Sequence, residues 1–376
     1  MSSVLFFDPT CQKPYSRRTL METALAGTDS TVVRLAERLD ARVMQHNREL
    51  AEERYLPPAP ARDVEHLVIL REPRVVRTLS ERYPGARVYL WLHDLLVPGT
   101  KRARRLAAAV PTLAGLAATI LCVSEFQRRQ VRELLNRVPG GTALETVTLY
   151  NPLEDGLAPN GAPVEAWKLV FFSSPNKGLA FTLDAFRALH RQMPELRLRV
   201  ASPGYKSLRR ARLERVDGRT AAVEWLGPLP HARALDEVRS ALCVFYPNFV
   251  FPESFGLVLA EANAVGTPVL THDCGAAGEV LADPRQLLPV TPGLRLYECA
   301  ARLAPSGARR ILAPLGERLG LFAPYVERIA AWQRGERPQT QPDPRFHLSA
   351  VAERWRALFV GNLTGPMIGA PGGRAS

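Results

Sequence analysis

Short apolar runs punctuate the first half of the chain: VLFFD (4 to 8), ARVMQ (41 to 45), HLVIL (66 to 70), RVYLWLH (87 to 93), TILCVS (119 to 124) and TVTLY (146 to 150). Longer stretches patterned for helices separate them. Strands that are apolar throughout, rather than at alternate positions, belong to parallel sheets covered by helices on both faces. The polar stretch NPLEDGLAPNGAP (151 to 163) reads as a linker. The alternation then restarts with KLVFFS (168 to 173), LRLRVA (196 to 201), VEWLG (223 to 227), CVFYP (243 to 247) and PVLTH (268 to 272). After Pro289 the pattern becomes helical, and an amphipathic segment runs from His347 to Phe359. The expectation is an α/β chain with two similar units in tandem, over 1–155 and 164–340, a C-terminal helix over 346–360 packing back on the first unit, and a disordered tail over 361–376.

A length of 376 residues exceeds what one core usually serves, which agrees with two units and a ligand cleft between them. The five cysteines are scattered without a Cys-x-x-Cys pair, so neither a disulfide framework nor a zinc site is indicated. Asp8 interrupts what would be the apolar core of a signal peptide, and the uncharged run from Leu106 to Ser124 contains Pro111 and Gly115. A cytoplasmic protein is expected, with that run forming a helix that leads into a buried strand. The net charge is +12, and basic residues cluster in the first unit at Arg17 and Arg18, at Lys101 to Arg105, and at Arg128 to Arg132. Such clusters suit the anionic inner face of the cytoplasmic membrane, with a merely solvated basic face as the plain alternative. No helix-turn-helix, finger or aromatic-basic motif accompanies them, so nucleic acid is not an expected partner.

The most informative chemistry lies in YPNFVFPESFGLVLAEANAVGTPVLTHDCGAAGEV (246 to 280). A strand ends at Pro247, a helix is expected from near Ser254 to about Val265, and Gly266 breaks it. The amides of Ser254, Phe255, Gly256 and Leu257 would then stand at a helix start, where a diphosphate is well accommodated. Glu253 precedes them and Glu261 follows eight residues later, about 12 Å along if every intervening residue were helical. This separation suits one carboxylate on sugar hydroxyls and another on ribose hydroxyls. A second strand-to-helix turn, SSPNKG, places Lys177 and Gly178 where an ammonium and amides can face phosphates.

ESFGLVLAEANAVGTPV resembles the motif of the retaining GT-B glycosyltransferases of family 4, Glu-x-Phe-Gly-Leu-x-x-x-Glu-Ala followed by Gly-x-Pro-Val. The resemblance implies a GT-B architecture of two Rossmann-like domains, an acceptor domain followed by a donor domain. It implies that Glu253 contacts the donor sugar and Glu261 the ribose, with Lys177 and Gly178 on the phosphates. The family pairs that lysine with an arginine five residues earlier. Here the position is Phe172, and Ser173 and Ser174 are the candidate replacements. Trp225 and Leu226 occupy the place of the nucleobase contact. Gly27 and Thr28 match the family's helix-start loop for phosphate or acceptor, and His93 matches a histidine on the donor sugar. CVSEFQRRQV matches a family strand-to-helix turn in which Ser124 caps a helix, a structural role.

The implied activity is a hexosyl transfer of the EC 2.4 class, from a UDP- or GDP-sugar to a glycan or lipid-linked hydroxyl with retention. The resemblance implies no cofactor and no metal. His272 and Asp273 lack a third ligand at motif spacing. The alternatives are a catalytically silent binding protein of the same architecture, a nucleotide-sugar epimerase and, on charge alone, a nucleic-acid-binding module.

Overall fold

The computed structural model describes residues 3–23, 25–59, 63–201, 222–303 and 309–362. The chain divides into two compact units, one formed by 1–21, 27–155 and 344–376, the other by 22–26 and 156–343. The chain therefore passes from the first unit to the second after Asp155 and returns after Asp343.

Among the described residues the first unit is built on a seven-stranded sheet of β1 (Val4–Asp8), β2 (Arg42–Gln45), β3 (Tyr55–Leu56), β4 (His66–Leu70), β5 (Arg87–Leu92), β6 (Thr119–Cys122) and β7 (Thr146–Thr148). Its order is β3-β2-β1-β4-β5-β6-β7, with every pairing parallel. The order reverses between β1 and β4, so the crevice at their carboxyl ends is where such a sheet receives a ligand. β1 and β4 are buried at every position, as the unbroken apolar runs require. Leu5, Ile69, Leu90 and Ile120 meet Leu106, Val110 and Val131 from helices 101–115 and 125–135 in one core.

Two helix starts in this unit follow from single side chains. The Thr100 hydroxyl accepts from the Ala103 amide at 3.4 Å, and the Ser124 hydroxyl from the Gln127 amide at 3.0 Å. The helix Lys101–Gly115 continues through Pro111, whose ring lies on the exposed side. The C-terminal helix Leu348–Phe359 belongs to this unit, and its entry is tied down by Leu348 N–H to the Leu153 carbonyl at 2.8 Å. Residues 151–153 are buried, and Leu153 is hydrogen-bonded to Phe346 and Leu348, which confines any free connection to the stretch that follows. Trp355 is fully buried, with its ring centroid 5.5 Å from Phe6 and 4.9 Å from Trp91.

The second unit carries six strands among its described residues: β8 (Glu165–Phe172), β9 (Arg197–Ala201), β10 (Val223–Gly227), β11 (Ala241–Phe245), β12 (Val269–His272) and β13 (Leu287–Leu288). Their order is β10-β9-β8-β11-β12-β13, again wholly parallel, with the reversal between β8 and β11. The register between β9 and β10 slips between Trp225 and Gly227, leaving Leu226 as a bulge residue. Helices 292–303 and 309–318 are held to helix 179–192 around Asp184, a carboxylate with no exposed side-chain surface. It accepts from Arg187 at 2.8 Å, from Tyr297 at 2.9 Å and from Arg309, which also reaches Glu298 at 2.8 Å. The predicted tail beyond residue 362 lies outside the described residues.

Replacing Trp355 by Ala removes the aromatic wedge that joins the C-terminal helix to β1 and β5. A loss of about 3–5 kcal/mol in the stability of the first unit is expected. Urea unfolding followed by Trp fluorescence and by circular dichroism checks this, and an unchanged midpoint contradicts the packing role.

Candidate active site

In the second unit the chemistry gathers where β8 and β11 part. β8 runs into the turn Ser173–Gly178, and Gly178 begins the following helix with φ +87°, a left-handed conformation that suits glycine. This turn delivers Lys177. β11 runs into a loop that delivers Glu253, and the Lys177 ammonium meets a Glu253 carboxylate oxygen at 2.8 Å. The other oxygen accepts from the Tyr246 hydroxyl at 2.6 Å. Tyr246 is held in turn by Asn248 Nδ2 at 3.2 Å and by the Ser173 hydroxyl. Burial, followed by the Glu253 charge, pushes the Tyr246 phenol well above its ordinary pKa, so it remains a donor.

The Glu253 backbone is fixed as closely. Its carbonyl accepts from the Ala276 amide at 2.9 Å. A Cβ on Gly275, at φ +68°, would lie 2.6 Å from the same carbonyl oxygen and 2.7 Å from the Glu253 nitrogen. Only glycine lets the loop after β12 approach this far.

The helix beyond Glu253 spans Leu257–Ala264 and so begins later than the expected start near Ser254. Gly256 takes φ 92° as its N-cap, which no right-handed helical residue can adopt, so Ser254 and Phe255 precede the helix. Only Leu257 to Glu261 is helical, about 6 Å of rise, and the loop supplies the remainder of the separation. The amides of Gly256 and Leu257 donate no hydrogen bond to the described residues. Glu261 is 6% exposed and meets His231 Nε2 at 2.8 Å. His231 arrives there as the first residue of the helix that follows β10.

Trp225 and Leu226 are half-buried on β10, the edge strand of its sheet. Ser174 is buried and its hydroxyl has no hydrogen-bond partner among the described residues. Phe172, in the place of the family arginine, is partly buried at the end of β8. Tyr246, Asn248 and His231 escaped the sequence reading. Their roles come from side chains reaching across strands and helices, which no local spacing encodes.

The first unit carries a separate cluster at its own strand ends. Gly27 opens the helix Gly27–Leu39, and Thr28 accepts a hydrogen bond from Arg71. Arg71 follows β4 with φ 61°, an uncommon conformation for a non-glycine residue. Its Nε lies 3.8 Å from Asp94. His93 follows β5, 6% exposed, with its ring 4.3 Å from Trp91. Burial first, then the Arg71 charge, pushes the His93 pKa well below its ordinary value, so the ring is neutral. Asp29 is pushed up to about 6 by burial and by Asp8, against the opposing pull of Arg71. Arg71, Asp8 and Asp29 are the members of this cluster that the sequence did not mark as site residues.

With this geometry in place, comparison with known proteins shows what the chain is similar to. Residues 167–303 match the family model described as "Glycosyl transferases group 1". The chain is group 1 glycosyltransferase-like. It is 30% identical over 181 residues to a phosphatidyl-myo-inositol mannosyltransferase of Mycobacterium tuberculosis, covering 46% of this chain and 45% of that one. It is 34% identical over 168 residues to a D-inositol 3-phosphate glycosyltransferase of Nocardia farcinica, covering 40% of this chain and 35% of that one. The matched part therefore spans less than half the length of these curated relatives. Among solved structures, HepE of Anabaena in complex with UDP-glucose aligns over 95% of this chain and 99% of its own, with TM-score 0.63 and 15% identity. Sucrose-phosphate synthase of Thermosynechococcus elongatus aligns over 96% of this chain and 100% of its own, with TM-score 0.59 and 16% identity. At these identities the likeness concerns the fold, which is the α/β GT-B architecture that the motif led us to expect.

His272, considered above as a metal ligand, has both ring nitrogens engaged. Nδ1 faces the carbonyls of Leu288 and Pro289 at 3.2 Å each, so it carries the proton, and Nε2 accepts from the Tyr325 hydroxyl at 2.6 Å. Burial pushes its pKa down to about 4, against the two carbonyls, which raise it. Below the ordinary value near 6.5 the unfolded chain takes up a proton that the folded one refuses. The resulting stability is present above that pH and is lost as pH falls towards 4, by up to about 3 kcal/mol. His272→Gln does not titrate, so the stability difference between wild type and variant should shrink across this window. Urea titrations at several pH values check it, and a constant difference contradicts it.

Proposed function

We propose that this group 1 glycosyltransferase-like chain is an active glycosyltransferase that moves a sugar from a nucleotide-diphosphate donor to a hydroxyl of a glycan or lipid-linked acceptor, with retention of configuration. The observation that carries the reading is Glu253, clamped between Lys177 and Tyr246 at the strand reversal of the second unit, within the segment that matches the group 1 model. A carboxylate held in this way is fixed in orientation. Lys177 spends one of its three N–H donors on Glu253 and keeps two for a phosphate. The amides of Gly256 and Leu257 add positive potential beside it.

In the proposed reaction the bond between the anomeric carbon and the phosphate oxygen breaks, and its electron pair stays with the departing diphosphate. The acceptor oxygen bonds to the same face, and its proton passes to the leaving phosphate. Glu253 supports the positive charge that develops on the sugar ring. Glu261 accepts from the ribose, and the Leu226 bulge offers main-chain groups to the base. His93, being neutral, offers an uncharged hydrogen bond to a sugar hydroxyl, and Thr28 beside Arg71 offers a polar contact for an acceptor. The donor class draws support from the UDP-glucose bound by HepE, and the hexosyl chemistry from the mannosyltransferase relative. UDP and GDP are the candidate carriers, and no cofactor enters the scheme.

Contacts that strengthen in the transition state govern turnover, whereas uniform contacts govern apparent affinity. Glu253→Gln should therefore lower kcat by at least about two orders of magnitude. Glu261→Gln should raise the donor KM by about ten- to hundredfold, the equivalent of about 1.5–3 kcal/mol for charge-assisted hydrogen bonds. Steady-state kinetics on folded variants separates the roles, and equal loss of donor affinity alone in both would refute them. Proton NMR of fresh product should show the donor's anomeric configuration, and the inverted anomer rules out the retaining scheme.

A further inference from the structure

A groove of about 740 Å³ lies between the segment after β4 and the helix Lys101–Gly115 of the first unit. Arg74, Arg77, Lys101, Arg104 and Arg105 line it over an apolar floor that includes Ala109. Five cations converge on it. Glu72 answers two of them, accepting from Arg74 Nε at 2.9 Å and from Arg105 Nη1 at 2.9 Å, which fixes both guanidinium groups. Arg77 pairs at its exposed end with Glu81 at 3.2 Å. Lys101 and Arg104 have no ionic or hydrogen-bonded side-chain partner among the described residues.

The placement runs against helix electrostatics. A helix start carries the positive end of the dipole and favours acidic residues. This one holds Lys101, Arg102, Arg104 and Arg105 in its opening residues with no acidic residue in the first turn. An arrangement that raises the local energy without a ligand, in a concave site of small-molecule size, calls for an anion to complete it. Guanidinium forks at Arg74, Arg77, Arg104 and Arg105 match the several oxygens of a phosphate better than a single carboxylate.

We propose that this groove is a binding site for a phosphate-bearing compound, with Lys101 and Arg104 as the contacts awaiting it and Arg74 and Arg105 as the pre-oriented ones. It is separate from the donor chemistry of the second unit and does not depend on the transferase reading. The test is calorimetric titration of the full chain with inorganic tripolyphosphate, at fixed ionic strength and without any sugar donor. Lys101→Ala with Arg104→Ala should weaken binding about tenfold or more. Arg17→Ala with Arg18→Ala, which removes the same charge from the same unit, should weaken it less than about twofold. The first pair should melt at or above the wild-type temperature, because it takes cations from the wrong end of a helix dipole. Undiminished binding by the first pair, or equal losses in both pairs, overturns the site. Where the first pair does lose tripolyphosphate, pelleting with vesicles of phosphatidylcholine and phosphatidic acid identifies the source. Pelleting of wild type that the pair abolishes assigns the phosphate to a lipid headgroup, and no pelleting of either assigns it to a soluble compound.

Discussion

A carboxylate 13% exposed at its side chain must find partners for both oxygens, and the second unit is arranged around meeting that demand at Glu253. Its two partners come from different strands. Lys177 follows β8 and Tyr246 follows β11, and they meet because the sheet order reverses there and makes the two strands neighbours. A third strand completes the fixation from the backbone, through the Gly275 turn after β12. Topology, not local sequence, therefore creates the site, and the sheet's parallel order is what brings three loops to one edge.

The first unit answers the same geometric opportunity with a different electrostatic balance. Arg71 at the end of β4 supplies positive charge, while Asp8 and Asp29 supply negative charge around it. Burial, and then the Asp8 charge, push the Asp29 pKa up to about 6 against the pull of Arg71, and burial together with Arg71 keeps His93 uncharged. One unit thus presents a fixed ion pair at its strand ends, and the other presents groups whose protonation is set first by burial and then by neighbouring charges.

What the sequence disclosed depended on range. Strands as apolar as β4 and β11 were legible because each is buried over its whole length. β3 and β13, at two residues each, are too short to show a period. Glu253 and Lys177 were found because a motif carries them. Tyr246, only seven residues from Glu253, was passed over as part of a strand end, since nothing in its neighbours indicates that its hydroxyl turns to a carboxylate. The sequence places the helix start near Ser254, whereas the left-handed Gly256 delays it to Leu257. His231 lies thirty residues from Glu261, and only the packing of two helices joins them.

The return of the chain to its first unit after Asp343 bears on the order in which the protein matures during synthesis. Trp355 sits against Phe6 and Trp91, so the core around β1 and β5 lacks this aromatic until the intervening second unit has been translated. The second unit, complete by residue 343, has its six described strands available before that moment. The nascent chain must therefore carry an early sheet with an unfilled slot while a later one closes. The interval in which β1 and β5 expose apolar surface to chaperones or to neighbouring chains is set by translation of the entire second unit.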